Sequence, residues 1–254
     1  MSEYNAHRTL RVLRTRMVTP KMARVTLGGD ELAGYPAFGP DQRIKLFFPV
    51  AGQDRPAMPR ASSGGPIWPP GEPRPVIRSY TVRRHDAEAG ELDVDFVLHT
   101  AAGPAAEWAL RAQPGDWVGI SEPGGRYQPD LTVDHHLVIG DESALPAICT
   151  VLSALGSFGG PITVFVEVAD AAEEQSLPLT AQTRAHWLHR ADAPPGRPLT
   201  DAVTSATLPE GTCQAWLSAE STAVRDIRAH LLDERAVPRR MIYATGYWRA
   251  RPPR

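Results

Sequence analysis

The sequence predicts two domains of different class: a six-stranded antiparallel β-barrel or sandwich, then an α/β domain with a parallel sheet. Two observations carry this. Over the first half, apolar residues recur with a period of two in short runs broken by Gly, Pro and Asp, and no long helical pattern appears. Beyond the Pro/Gly-dense stretch at 122–135, continuous β-branched runs alternate with helical segments, the pattern of strands buried on both faces by helices. A chain of 254 residues has room for two modest domains, expected at 1–128 and 129–254.

Element by element, residues 10–15 and 22–27 alternate as strands, and Gly28-Gly29-Asp30 marks a turn. Residues 44–50 form a compact apolar strand. The segment 51–75 carries Ser62-Ser63-Gly64-Gly65 and Pro69-Pro70-Gly71 and reads as a long loop. Strand character returns at 76–82. At 92–98, Leu92, Val94, Phe96 and Leu98 alternate with Asp93, Asp95 and Val97. A short helix is expected at 107–111, a turn at Pro114-Gly115-Asp116 and a strand at 117–120. In the second half, 136–139 is a short strand ending at Gly140, 145–155 a helix and 162–168 a buried strand. Glu173 and Glu174 belong to a short helix or loop. Strands at 214–218 and 239–245 flank a helix at 222–234. His186 and His189 would share one side of a helix. With no Cys or carboxylate at ligand spacing they read as surface residues.

Composition excludes several classes. The chain is 42% hydrophobic and 22% charged with a formal net charge of -2, without the basic excess of a general nucleic-acid or membrane-surface binder. Its 2 cysteines, Cys149 and Cys213, lie in no metal or redox motif. Residues 1–10 lack a signal-type apolar run, and no stretch is long enough to span a bilayer. A cytoplasmic protein is therefore expected, without stable membrane association. With no heptad, a monomer is expected.

Four segments point to chemistry. Arg78-Ser79-Tyr80-Thr81 places a guanidinium, a ring and a hydroxyl on one strand, a set suited to a phosphate and a flat heteroaromatic ring, and equally to an edge strand with solvated arginines. His99 through Gly103-Pro104 to Trp108 is a small-residue loop opening a helix, suited to an anion. Gly140-Asp141-Glu142-Ser143-Ala144-Leu145-Pro146 follows a strand and opens a helix, with acids and caps in the first turn. It is not a GxGxxG fingerprint. Gly246-Tyr247-Trp248-Arg249 puts large aromatics near the chain's end.

In this order and spacing, the four segments resemble the siderophore-interacting proteins, FAD-dependent ferric-siderophore reductases of the ferredoxin-reductase-like superfamily. The resemblance covers nearly the whole chain. It implies a ferredoxin–NADP reductase-like fold, with a flavin-binding barrel and an NAD(P)H-binding α/β domain. It implies FAD as cofactor, NADH or NADPH as cosubstrate and a ferric siderophore as substrate, with iron carried by the chelate and not by protein ligands. Carried over residue by residue, the FAD contacts are Arg78, Ser79, Tyr80, Thr81, His99, Thr100, Ala102, Gly103, Ala105, Trp108, Asp141, Ser143, Ala144 and Trp248. Glu142 and Glu220 fall on the nicotinamide side, and Lys45, Arg126 and Arg249 are candidate cations for an anionic chelate. Thr100 stands where the family often has Gly, and Ala219 where it has Gly before the acid. Glu220 suits a ribose hydroxyl or a helix cap. Arg184, Arg190 and Arg197 are candidate cations for a nucleotide 2′-phosphate. No acid–base triad is needed. The alternatives are a generic flavin-dependent electron-transfer reductase and a nonenzymatic siderophore- or flavin-binding protein.

Overall fold

The computed structural model describes residues 7–36, 39–60, 62, 65–99, 103–125 and 127–250. The chain divides into two compact units, Met1–Arg126 and Tyr127–Arg254.

In the first unit, β1 (His7–Thr19), β2 (Met22–Gly28), β3 (Arg43–Phe48), β4 (Val76–Asp86), β5 (Glu91–Val97) and β6 (Trp117–Ser121) close a barrel in the order β1-β2-β5-β4-β3-β6. Every pairing is antiparallel. Strand β1 runs well beyond the expected 10–15 because it serves two neighbours, β6 along His7–Arg11 and β2 along Arg11–Thr19. The inward positions Leu10, Val25, Leu46, Leu92, Val94, Phe96, Val118 and Ile120 fill the barrel. The alternation along β5 marks its buried apolar face, Leu92, Val94 and Phe96, and Asp93 and Asp95 are buried as well. Arg24 grips Asp95 with a two-pronged fork at 2.6 and 2.8 Å. Asp93 accepts from the Thr26 hydroxyl at 2.7 Å and from Arg84 Nε at 2.9 Å. These partners compensate charges that burial would otherwise penalise. Helix α1 (Pro104–Arg111) starts earlier than the expected 107, because Pro104 stands in its first turn, where its fixed φ suits a helix and its missing N–H costs nothing.

In the second unit, β7 (His135–Asp141), β8 (Ile162–Val168), β9 (Thr183–His189), β10 (Cys213–Glu220) and β11 (Ile242–Trp248) form an all-parallel sheet in the order β11-β10-β7-β8-β9. Helices α2 (Leu145–Ala154), α3 (Arg197–Ser205) and α4 (Ser221–Asp233) connect them. Leu199 and Val203 of α3 and Val224, Ile227 and Leu231 of α4 pack on Leu137, Ile139, Ala215 and Leu217 of the sheet.

The second unit departs from its sequence pattern at two predicted elements and adds a helix that the pattern lacks. Residues 183–189 are a strand, not a helix, so His186 and His189 lie on opposite faces. His186 stacks on Phe165 at 4.9 Å, and His189 pairs with Glu174 at 2.7 Å. Helix α3 was not anticipated. The final strand begins at Ile242 because residues 239–241 form a 3-10 turn after Pro238. Among the described residues, no helix is long and apolar enough to cross a membrane.

The sheet sets the second unit's functional edge. The chain leaves β7 toward β8 and β9 on one side and returns to β10 and β11 on the other, so the strand order reverses between β7 and β10. In open parallel sheets the crevice beyond the carboxyl ends at such a switch point is where nucleotides bind. The strand ends there are Asp141, Glu220, Trp248, Val168 and His189.

Candidate active site

On the barrel, Arg78, Ser79, Tyr80 and Thr81 sit in register with Leu46, Lys45, Ile44 and Arg43 of β3. The pairing of β4 with β5 begins only at Val82, opposite Val94. The opposite edge of β4 over Val76–Thr81 therefore lacks a ladder partner among the described residues. Arg78 and Ser79 are exposed. The Arg78 guanidinium donates to the carbonyl of Ile77 at 2.8 Å and meets no carboxylate among the described residues. The Tyr80 ring rests 4.4 Å from Phe96, and burial pushes its hydroxyl up to about 12, against the opposing pull of Arg78. Tyr80 is thus a neutral ring with one face committed to the core. Nearby in sequence, Gly103 caps α1 without a side-chain partner, and Pro104 follows it, so the first-turn N–H groups keep their donor capacity.

A guanidinium without a carboxylate partner among the described residues, an open backbone edge and a half-buried tyrosine fit a cofactor that combines a phosphate with a flat ring. FAD is such a group. Ala105 and Trp108 also serve the barrel: Ala105 is core, and the partly buried Trp108 packs on Phe48 and Phe96 at 5.0 and 6.0 Å. His99 is exposed. Thr100, Ala102 and Arg126 lie outside the described residues. Lys45 is exposed on β3.

In the second unit, Asp141 ends β7 and is fully buried. Its Oδ1 accepts from the N–H and hydroxyl of Ser143 at 2.9 and 2.5 Å. Its Oδ2 accepts from the Glu220 N–H at 2.9 Å and the Trp248 indole Nε1–H at 2.7 Å. Burial, followed by the charge of Glu142, pushes this carboxyl up to about 6, while the hydrogen bonds pull the other way. One carboxylate thus ties together the ends of β7, β10 and β11. Glu220 caps α4 by accepting from the N–H groups of Thr222 and Ala223 at 2.6 and 3.2 Å, and also accepts from Ala250 N–H at 3.2 Å. The Ser221 hydroxyl donates to the Trp248 carbonyl at 2.7 Å. Trp248 is held in place by these bonds, and Arg249 beside it is exposed. Ala144 is buried against Gly140, where an added Cβ would lie 2.7 Å from the Ala144 Cβ and 2.8 Å from the Ser218 carbonyl oxygen.

The sequence missed the partner of Glu142. Arg190, just past β9, reaches both its oxygens at 2.7 and 3.0 Å and also meets Glu167 at 2.9 Å. Glu167 is wholly buried and accepts from the N–H groups of Gly196 and Leu199 at 2.9 and 3.1 Å. Hydrogen bonds to these acids hold the guanidinium firmly protonated. The signal in the sequence is Glu167 itself, an acid inside an otherwise apolar run at 162–168.

A closed antiparallel barrel followed by a parallel sheet with a switch point is the architecture of flavin- and pyridine-nucleotide-dependent reductases. A ferredoxin NADP+ reductase from Neisseria gonorrhoeae shares this fold at a TM-score of 0.65 with 16% identity, over 96% of this chain and 99% of that one. Residues 11–127 match the siderophore-interacting FAD-binding domain and residues 133–251 the siderophore-interacting protein domain, so the chain belongs to the siderophore-interacting protein family. It is 36% identical to the ferric vibriobactin reductase ViuB of Vibrio cholerae over 95% of this chain and 89% of that protein. It is 30% identical to the NADPH-dependent ferric-chelate reductase of Escherichia coli over 96% of this chain and 93% of that one. Among solved structures, a siderophore utilization protein from T. fusca superposes at a TM-score of 0.78 with 37% identity, covering 96% of this chain and 92% of that one. The siderophore-interacting protein SipS from Aeromonas hydrophila superposes at 0.80 with 32% identity and the same coverage, 96% and 92%.

Proposed function

We propose that this protein is an NAD(P)H-dependent FAD enzyme that reduces ferric siderophores and so releases ferrous iron. The observation that supports it best is the Arg78–Thr81 strand edge, open along its backbone and free of carboxylates, in a chain related end to end to a ferric vibriobactin reductase. FAD, when bound, supplies the conversion of a two-electron hydride donor into a source of single electrons. The chain's own residues bind, orient and tune. Arg78 holds the pyrophosphate, helped by the Ser79 backbone and the first-turn N–H groups of α1. Tyr80 and Thr81 flank the ring system. Asp141, Glu220 and Ser221 fix the strand ends and Trp248 that form the nicotinamide edge.

Two ferric chelates each accept one electron per nicotinamide oxidised. Iron(II) binds hard oxygen donors less tightly than iron(III), so reduction loosens the chelate. No protein proton donor is required. Lys45 and Arg126 in the first unit, and separately Arg249 in the second, are the cations proposed to attract an anionic complex. The same reading takes the protein as a cytoplasmic monomer, and its net charge of -2 speaks against a general nucleic-acid or membrane-surface role.

The test is anaerobic. Purified protein should carry FAD, lose its oxidised flavin absorbance with a nicotinamide donor, and regain it when a ferric siderophore is added with a ferrous trap. Reoxidation by a redox protein but by no ferric chelate would favour a generic electron-transfer reductase. Colourless protein that still binds chelate would favour a nonenzymatic binder.

A further inference from the structure

NADH and NADPH differ by the 2′-phosphate on the adenosine ribose. That group is close to doubly charged at neutral pH, and a site that accepts it offers an arginine or lysine where NADH-specific sites offer an acid to the ribose hydroxyls. The relevant surface is the carboxyl edge of the β11-β10-β7-β8-β9 sheet.

All but one of the described arginines along that edge have a carboxylate partner, and only Arg190 has a buried one. Arg190, the most central, is bonded by both Glu142 and Glu167, with only 14% of its side chain exposed. It cannot swing toward a phosphate without leaving wholly buried Glu167 with no counter-charge. His189 pairs with Glu174, Arg197 with Asp201, and Arg225 with Asp226. Arg184 stands at the start of β9, the wrong end of the strand. Arg249 alone, among the described residues of this edge, is exposed without a carboxylate partner, and it follows β11 at the margin of the sheet opposite β9. Glu142, by contrast, retains lone pairs beyond its two bonds to Arg190, and a ribose diol can donate to them.

We propose that the Glu142–Arg190–Glu167 clamp is the specificity determinant for the nucleotide, and that it selects NADH over NADPH by withholding the strand-end arginine from a 2′-phosphate and presenting a carboxylate in its place. This rests on the reading of the protein as a nicotinamide-dependent flavin reductase.

The test uses the FAD-loaded protein at low ionic strength. Calorimetry gives dissociation constants for NAD+ and NADP+, and anaerobic stopped flow gives flavin reduction by NADH and NADPH. The expected preference for the unphosphorylated nucleotide is about tenfold or more in both readouts. Glu142→Gln removes one carboxylate charge and loosens Arg190, so NADP+ should bind at least about fivefold tighter while NAD+ changes less. Wild-type preference for NADP+ and NADPH overturns the proposal, whether or not Arg249→Ala abolishes that preference. A nucleotide ratio unmoved in Glu142→Gln also overturns it, as does loss of NAD+ and NADP+ affinity in equal proportion. If neither nucleotide reduces the flavin, the reductase reading fails, and the two dissociation constants still decide whether the clamp discriminates.

Discussion

Replacing Arg190 with Met removes the one cation that, among the described residues, meets Glu167, and keeps an unbranched apolar stem in its place. In the wild type, the Arg190 guanidinium makes three hydrogen bonds, two to Glu142 and one to Glu167. The two acids respond differently to its loss. Glu142 has 17% of its side chain exposed and can rehydrate, so its share is small, about 1 kcal/mol at most. Glu167 has 1% exposed and, among the described residues, keeps the Gly196 and Leu199 N–H donors. Breaking a buried pair from one side costs about 3–5 kcal/mol. The two backbone donors place this case near the lower bound, at about 3 kcal/mol. For a unit of this size that lowers the melting temperature by roughly 10 °C. The assay is urea and thermal unfolding of the FAD-loaded protein, followed by circular dichroism. The double variant Arg190→Met/Glu167→Gln should recover at least about half the loss, because a neutral amide needs no counter-charge. A single variant that loses less than about 1 kcal/mol would refute the reasoning. So would a double variant less stable than the single one.

The remaining predictions concern the two halves of the site and its buried acid. Arg78→Ala should lower FAD occupancy of the purified protein by about tenfold or more, read from the flavin-to-protein absorbance ratio, with little change in barrel stability because the side chain is exposed. Gly140→Ala drives a Cβ to within 2.8 Å of the Ser218 carbonyl and 2.7 Å of the Ala144 Cβ. It should cost about 1–3 kcal/mol in urea unfolding and weaken nucleotide binding. Asp141, with its carboxyl at about 6 in the fold against 3.8 when unfolded, binds more protons folded than unfolded between those values. Its contribution is therefore greatest below the unfolded value and is lost as pH rises through about 6. Measured against Asp141→Asn from pH 4 to 7, wild-type stability should fall with rising pH by up to about 3 kcal/mol. A difference that grows with pH would mean that the bonds from Ser143, Glu220 and Trp248 outweigh burial.

Much of the fold was legible because it follows from periodicity. The alternation of Leu92, Val94 and Phe96 and the β-branched run of Ile162–Val168, apolar but for Thr163 and Glu167, each named their strand and its environment. Strand β9 escaped because Thr183–His189 lies at the sheet's edge, with Arg184, His186 and His189 exposed, and its sequence shows no apolar face. Helix α3 escaped because only Leu199 and Val203, one helical turn apart, are fully buried in it. The candidate site was legible as segments but not as contacts. That Arg78 stands on an unpaired strand edge depends on where β5 begins to pair, which residue order alone does not specify. Glu142 suited its helix's first turn, but the arginine that claims it is 48 residues away. Asp141 read as a cap, which it is for Ser143. Its bond to Trp248 spans 107 residues and needs the parallel register of three strands.

The central claim is that electrons pass from a nicotinamide through FAD to a chelated ferric ion. The direct measurement is a single-turnover anaerobic experiment in a spectrophotometer. The protein, reduced with one equivalent of NADH, is mixed with a ferric siderophore and a ferrous-specific chromophore. The account predicts that the oxidised flavin spectrum returns as the ferrous complex forms, at two ferrous ions per flavin. A flavin that stays reduced with every ferric chelate offered, or reoxidises without ferrous iron appearing, would contradict it.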